Sequence, residues 1–139
     1  MAVTYLASLR TNRLNLVVNA LGTATGPTIS VTGTAAGTLV IGTSALSGAT
    51  GVLATFTLST TPATVSGDVL TLSGVPLSVA ASASGTAALA ELRNNAGTVI
   101  LSGLTVGTSG TNVIISPSTT ITSGQTCQVT ALTVTHPTT

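Results

Sequence analysis

The sequence predicts a mainly β protein: a sandwich or jelly-roll-like barrel of about eight to nine short antiparallel strands, preceded by one N-terminal α-helix. Three observations predict it. Apolar residues recur at helical spacing only before Gly22. From Gly26 onward, short β-prone runs alternate with Gly, Ser, Pro and Asn. Within several runs, apolar residues alternate with Thr or Ser, the period of a strand with one buried face. The chain of 139 residues fits one domain, with a helix at 4–21, a β domain at 27–135 and a tail at 136–139. Gly22–Pro27 would act as the hinge between helix and sheet.

The helix comes first. Leu6, Leu9, Leu14, Val17 and Leu21 fall at spacings of 3, 5, 3 and 4, which keeps them on one broad face. Asn12, Asn15 and Asn19 gather opposite. Thr4 is the expected N-cap and Gly22 the terminating residue. Arg10 and Arg13 fall inside the apolar arc. Either they snorkel to water over their aliphatic stems, or the arc is a docking face whose arginines meet a partner or a neighbouring subunit.

The strand candidates follow in order: Thr28–Thr32, Thr38–Ile41, Val52–Leu58, Val69–Ser73, Val75–Ala80, Thr86–Arg93, Thr98–Val106, Asn112–Ser116 and Cys127–Thr135. In "VLATFTL", Val52, Ala54, Phe56 and Leu58 would face one way, with Leu53, Thr55 and Thr57 opposite. Pro76 belongs at an edge or a bulge, because it cannot donate to a ladder. "TAALAELR" (Thr86–Arg93) also has helical propensity. If it is a strand, Glu91 and Arg93 share a face and form a surface ion pair.

Composition narrows the chemistry. Charged residues are 4% of the chain, against about 25% in an ordinary soluble domain. They are Arg10, Arg13, Arg93, Asp68 and Glu91. Three arginines make no basic footprint, so no nucleic-acid partner is expected. No run of apolar residues is long enough for a membrane helix, and the start reads as mature protein rather than a signal peptide. Aromatics are 1%, Tyr5 and Phe56, so Val, Leu, Ile and Ala must build a thin core. Such a core gains from burial against other copies or a partner. Mean hydropathy is +0.68, and a nearly neutral surface lacks colloidal repulsion. An associated state is therefore expected.

No catalytic constellation emerges. Asp68 sits in a turn-to-strand junction, "SGDV", where local hydrogen bonding is the usual role. Cys127 reads as a small apolar strand residue, since a lone cysteine forms no disulfide within the chain. His136 lies in the tail "THPTT", a kind of segment usually mobile and exposed. Nine residues along one strand run separate it from Cys127, too far for a Cys–His pair. No metal site, cofactor or enzymatic activity is expected. Threonine is about a fifth of the chain, but "TAT", "TGT", "TFT" and "TVT" recur without a fixed period, so strand propensity accounts for them.

Two long stretches carry a resemblance. "TYLASLRTNRLNLVVNAL" (Thr4–Leu21) contains the pattern S-L-R-x-x-R-L-N through Ser8, Leu9, Arg10, Arg13, Leu14 and Asn15. The C-terminal third contains a G-T-S-G run at Gly107–Ile115 and an I-x-x-G-x-x-V-x-V-T strand at Ile121–Thr130, with Cys127 where the pattern has Val. "LATFTLS" (Leu53–Ser59) fits a further strand of the pattern. Together these resemble a family of small tailed-bacteriophage virion proteins. The chain departs after Ser84, where "LAELRNN" replaces a Trp-Phe-Arg and Arg93 matches the arginine.

The resemblance implies a structural virion protein: a capsid decoration, cement or minor capsid protein on the capsid exterior. It implies binding to the major capsid protein, with a cyclic homotrimer as the expected assembly. Arg10, Arg13 and Asn15 are then the candidate inter-subunit or capsid contacts. The alternatives are a tail- or fibre-associated β module contacting the host surface, and a non-virion ligand-binding β domain.

Overall fold

A computed structural model describes residues 3–4, 6–21, 37–59, 62–94 and 97–136, with backbone only at 19 and 20. These residues form α1 (Ala7–Leu21), β1 (Thr38–Ser47), β2 (Thr50–Thr57), β3 (Ala63–Ser66), β4 (Val69–Leu72) and β5 (Leu77–Ala80). Then come β6 (Gly85–Thr86), β7 (Leu89–Arg93), β8 (Val99–Gly107), β9 (Val113–Ser116), β10 (Thr120–Ile121) and β11 (Thr126–Thr135). The protein is mainly β with one N-terminal helix, and the fold is sandwich-like. The expected strand at Thr28–Thr32, the Gly22–Pro27 hinge and Tyr5 lie outside the described residues.

The helix starts three residues later than predicted. The Leu6 carbonyl accepts the first N–H groups, from Leu9 at 3.0 Å and Arg10 at 3.1 Å. Val3 and Leu6 are 69% and 72% exposed. Without packing there, an earlier turn has nothing to offset the cost of ordering it.

Two strands escaped the sequence reading, β3 and β10, and Thr86–Arg93 divides into β6 and β7. Each missed strand is short and is defined by its partner: β3 by its hairpin with β4, β10 by its two-residue ladder with β6. Pro76 immediately precedes β5, so its missing N–H costs the ladder nothing.

The main sheet has the order β2-β1-β7-β8-β9-β11-β4-β3. The ten-residue β11 pairs with β5 through Thr126–Val129 and with β4 through Thr133–Thr135, while β9 runs along its other side. Beyond β5, the Ser82 N–H donates to the Leu53 carbonyl of β2 at 2.8 Å. The sheet thus curls until its far strands meet around one core.

The expectation of wholly antiparallel pairing is corrected by β8 and β9, which run parallel through Val106↔Val113 and Gly107↔Ile114. Asn112 explains how a five-residue connection achieves this. Its Oδ1 accepts from the Thr105 N–H (3.2 Å) and hydroxyl (3.0 Å), while its own N–H donates to Thr105 Oγ1 at 3.1 Å. Its Nδ2 donates to the Thr133 carbonyl at 3.3 Å, and its carbonyl accepts the Thr133 N–H at 2.9 Å. The chain doubles back after Gly107, and Asn112 stitches β8 to β11. Asn112→Ala should cost about 1–2 kcal/mol, because water replaces these half-exposed bonds only in part. Urea denaturation would check this; an unchanged midpoint would show that the side chain is dispensable.

The core is one continuous cluster that includes Leu14, Val18 and Leu21 of the helix. Ala54 and Phe56 of β2, and Leu58 just after it, face it as predicted, while Val52, expected on the same face, is only half-buried. Leu53 was expected on the opposite, open side, yet it is buried. The Ser82–Gly85 segment covers it: a Cβ at Gly85 would lie 3.0 Å from a Leu53 methyl. Gly37 marks another close approach. A Cβ there would fall 2.5 Å from the Arg93 carbonyl and 2.6 Å from the Leu21 carbonyl. The end of the helix, the start of β1 and the end of β7 converge at a residue that only glycine fits.

Candidate interaction site on the helix

The helix has no acidic residue in its first turn and no basic residue in its last. Its macrodipole therefore gains nothing from side-chain charge, and tertiary packing holds it in place. Leu14, Val18 and Leu21 face the core, and Thr11 Oγ1 donates to the Gly67 carbonyl at 2.6 Å. Gly67 and Asp68 form the turn between β3 and β4.

The two helix arginines part company. Arg10 Nε lies 2.7 Å from Asp68 Oδ1, with side-chain exposures of 12% and 25%. Arg10 therefore neither snorkels to open water nor faces outward; it ties the helix to the β3–β4 turn. Arg13 is exposed and Asn15 partly exposed. Asp68 also departs from the local turn role expected of it. Its backbone carbonyl accepts the His136 N–H at 2.7 Å. Helix, hairpin turn and the end of β11 therefore meet at one residue. His136, expected in a loose exposed tail, is half-buried there. No local signal links positions 10, 68 and 136; only the docking of the helix brings them together.

The Arg10 hydrogen bond holds the Asp68 carboxyl below the usual carboxylate range. Partial desolvation opposes the effect, while the charges of Arg10 and His136 add to it. The sign follows by linkage. A depressed folded-state value contributes stability above the ordinary carboxylate range, about pH 4, and that contribution is lost as pH falls through the folded value. Arg10→Met should therefore be less stable than the parent near neutral pH, with the gap closing below the carboxylate range. Thermal midpoints of both proteins across this range would test it; a gap independent of pH would mean that the pair adds only packing.

The second ion pair is less superficial than expected. Glu91 and Arg93 do share a face of β7, but their side chains are only 11% and 14% exposed. Glu91 Oε2 accepts from Arg93 Nε at 3.0 Å and Nη2 at 2.7 Å. The same Nη2 donates to the Gly48 carbonyl at 2.7 Å. Gly48 is the tip of the β1–β2 turn, with φ of 58°, a left-handed conformation that suits glycine. The pair thus clasps the hairpin tip to β7.

Cys127 is buried in the core, and burial pushes its thiol up, so it stays protonated at neutral pH. It is the second residue of β11, and His136 follows the end of that strand. Among the described residues, no group of three or more His, Cys, Asp or Glu side chains is placed to hold a metal ion. No helix among them is long and apolar enough to cross a membrane.

Leucines stand among the exposed positions: Leu6, just before the helix, is 72% exposed, and Leu9 and Leu16 on it are 45% and 39% exposed, beside exposed Ser8, Asn12 and Arg13. The single apolar arc read from the sequence is divided: Leu14 and Leu21 turn inward with Val18, while Leu6 and Leu9 turn outward. The geometry defines a curled mixed β-sheet protein with a docked amphipathic helix that presents leucines outward. No family model, curated protein or solved structure matches the chain.

Proposed function

We propose that this chain is a structural virion protein of a tailed bacteriophage. It decorates or cements the outside of the capsid by binding the major capsid lattice, as a homotrimer, and has no catalytic role. The observation that carries this reading is where the charges go. Of three basic and two acidic side chains, four are engaged in two intramolecular pairs that secure the helix and a hairpin. The exposed strand positions are largely Thr and Ser, and the helix presents leucines. A neutral, partly apolar surface favours association over dispersion, which suits a subunit packed among others in a lattice. The resemblance of Ser8–Asn15, Leu53–Ser59, Gly107–Ile115 and Ile121–Thr130 to small phage virion proteins points the same way.

Localisation on intact particles tests the reading, using labelled antibody against this chain in electron microscopy. Label over the head is the expected result. Label confined to the tail would replace decoration with host contact. Unlabelled particles, with the protein present in the lysate, would remove the virion role altogether.

A further inference from the structure

We infer that residues 43–51, the tip of the β1–β2 hairpin, form a strap that closes over the outer face of their own sheet and opens without unfolding the rest, with Arg93 as its latch. The inference is independent of the virion reading. Alternation identifies the outer face. Leu39, Ile41, Ala90 and Leu92 point into the core cluster, so Val40 and Glu91 between them point the other way. Yet both are buried, at 2% and 8% exposure. Arg93 shows what returns to this face: its Nη2 lies 2.7 Å from Glu91 Oε2 and 2.7 Å from the Gly48 carbonyl. A straight β1 would carry Gly48 about 25 Å beyond Val40, out of reach of a side chain on β7. The hairpin therefore folds back over its own sheet.

The fold-back is built from glycine. The β1–β2 ladder steps from Gly42↔Val52 to Ser47↔Thr50, so residues 43–46 on one strand face Gly51 alone on the other. Gly51 has φ of 73°, and a Cβ there would fall 2.7 Å from Thr43 Oγ1. A Cβ on Gly42 would fall 2.6 Å from both the Gly51 carbonyl and a Leu46 methyl. Little else holds the tip. Ser44, Ala45, Ser47, Gly48, Ala49 and Thr50 are exposed. Among the described residues, the one hydrogen bond that reaches 43–51 from outside the hairpin comes from Arg93. Few buried contacts and a single bond mark a segment that opens locally. Beneath it, Glu91 Oε2 takes both Arg93 contacts, and no donor among the described residues reaches Oε1. A desolvated carboxylate oxygen without a donor is costly, and opening the strap relieves that cost by admitting water. Closure and the ion pair are therefore coupled: under the closed strap Glu91 depends on Arg93, and under the open strap water takes over.

The test treats the full chain with elastase, which cleaves after small residues such as Ala45 and Ala49, and measures urea midpoints separately. Gly51→Ala should speed cleavage in the tip about tenfold, because the added methyl fits only the open strap. Gly110→Ala, at another glycine of positive φ (68°) whose Cβ would meet nothing within 4 Å, should leave cleavage at the parent rate. Parent cleavage should depend far less on urea than global unfolding does, the mark of a local opening. That readout needs only the parent chain, so it decides even where Gly51→Ala fails to fold. In the Gly51→Ala background, Arg93→Ala should lower the urea midpoint by less than about half of what it does in the parent, since Glu91 is already hydrated. Tip cleavage unchanged by Gly51→Ala, or as steep in urea as global unfolding, would overturn the strap. Strictly additive midpoints for the two substitutions would overturn its coupling to Glu91.

Discussion

Arg93→Ala is expected to destabilise the protein by about 3 kcal/mol, at the lower end of what breaking a buried ion pair costs. Glu91 is 8% exposed, in the middle of β7 and opposite buried Val40 on β1. Its Oε2 takes both contacts from the Arg93 guanidinium. Without Arg93 the carboxylate is left largely desolvated and unpaired, and the Gly48 carbonyl loses its donor as well. The residual exposure of the pair, 11% and 14%, keeps the cost from reaching the top of the range. Glu91→Gln should cost less, because a neutral amide oxygen still accepts from Arg93. Replacing both residues with Leu should recover much of the loss, since no buried charge then remains. Urea denaturation at neutral pH measures all three. An Arg93→Ala protein within about 0.5 kcal/mol of the parent would show the pair to be a solvated surface contact.

Phe56→Ala should cost about 3–5 kcal/mol, a large share of the roughly 5–15 kcal/mol typical of a whole domain. Phe56 is 2% exposed and sits opposite fully buried Leu39 on β1. Among the described residues it is the one aromatic side chain, so its ring fills a space otherwise lined by aliphatic groups. These neighbours belong to paired strands and collapse little into the void, which raises the cost. Phe56→Leu should cost only about 1–1.5 kcal/mol, since it conserves more of the volume. Thermal unfolding would distinguish the two by several degrees. Equal midpoints for both variants would mean that the core repacks freely around position 56.

The strands that were legible in the sequence are the ones whose own residues alternate. β4 shows this: Leu70 and Leu72 are buried and Thr71 between them is exposed. Leu53 escaped because its cover arrives from Ser82–Gly85, about thirty residues on. β10 escaped because two residues are too few to show a period, and β3 because its run Ala63–Ser66 sets one Ala and one Val against Thr and Ser, a weaker alternation than the two leucines of the equally short β4. The parallel β8–β9 pair escaped because Asn112 acts through bonds to Thr105 and Thr133, and no local pattern announces that geometry.

The candidate site divides the same way. The helix was readable from leucine spacing, and Glu91 and Arg93 could be placed on one face by counting. That Arg10 turns inward and Arg13 outward was not readable. Both fall within one broad apolar arc, and which edge of it the sheet covers depends on where the β3–β4 turn places Asp68 and the Gly67 carbonyl.

By itself, then, the sequence determined the class of fold, the position of the helix, the phase of its alternating strands and the scarcity of charge. These follow from local periodicity and composition, which need no knowledge of neighbours. The tertiary structure alone decided the direction of β9, the cover over Leu53, the depth of the Glu91–Arg93 pair and the meeting of residues 10, 68 and 136. Each depends on contacts between segments distant in the chain, and such contacts form only when the sheet closes on its core.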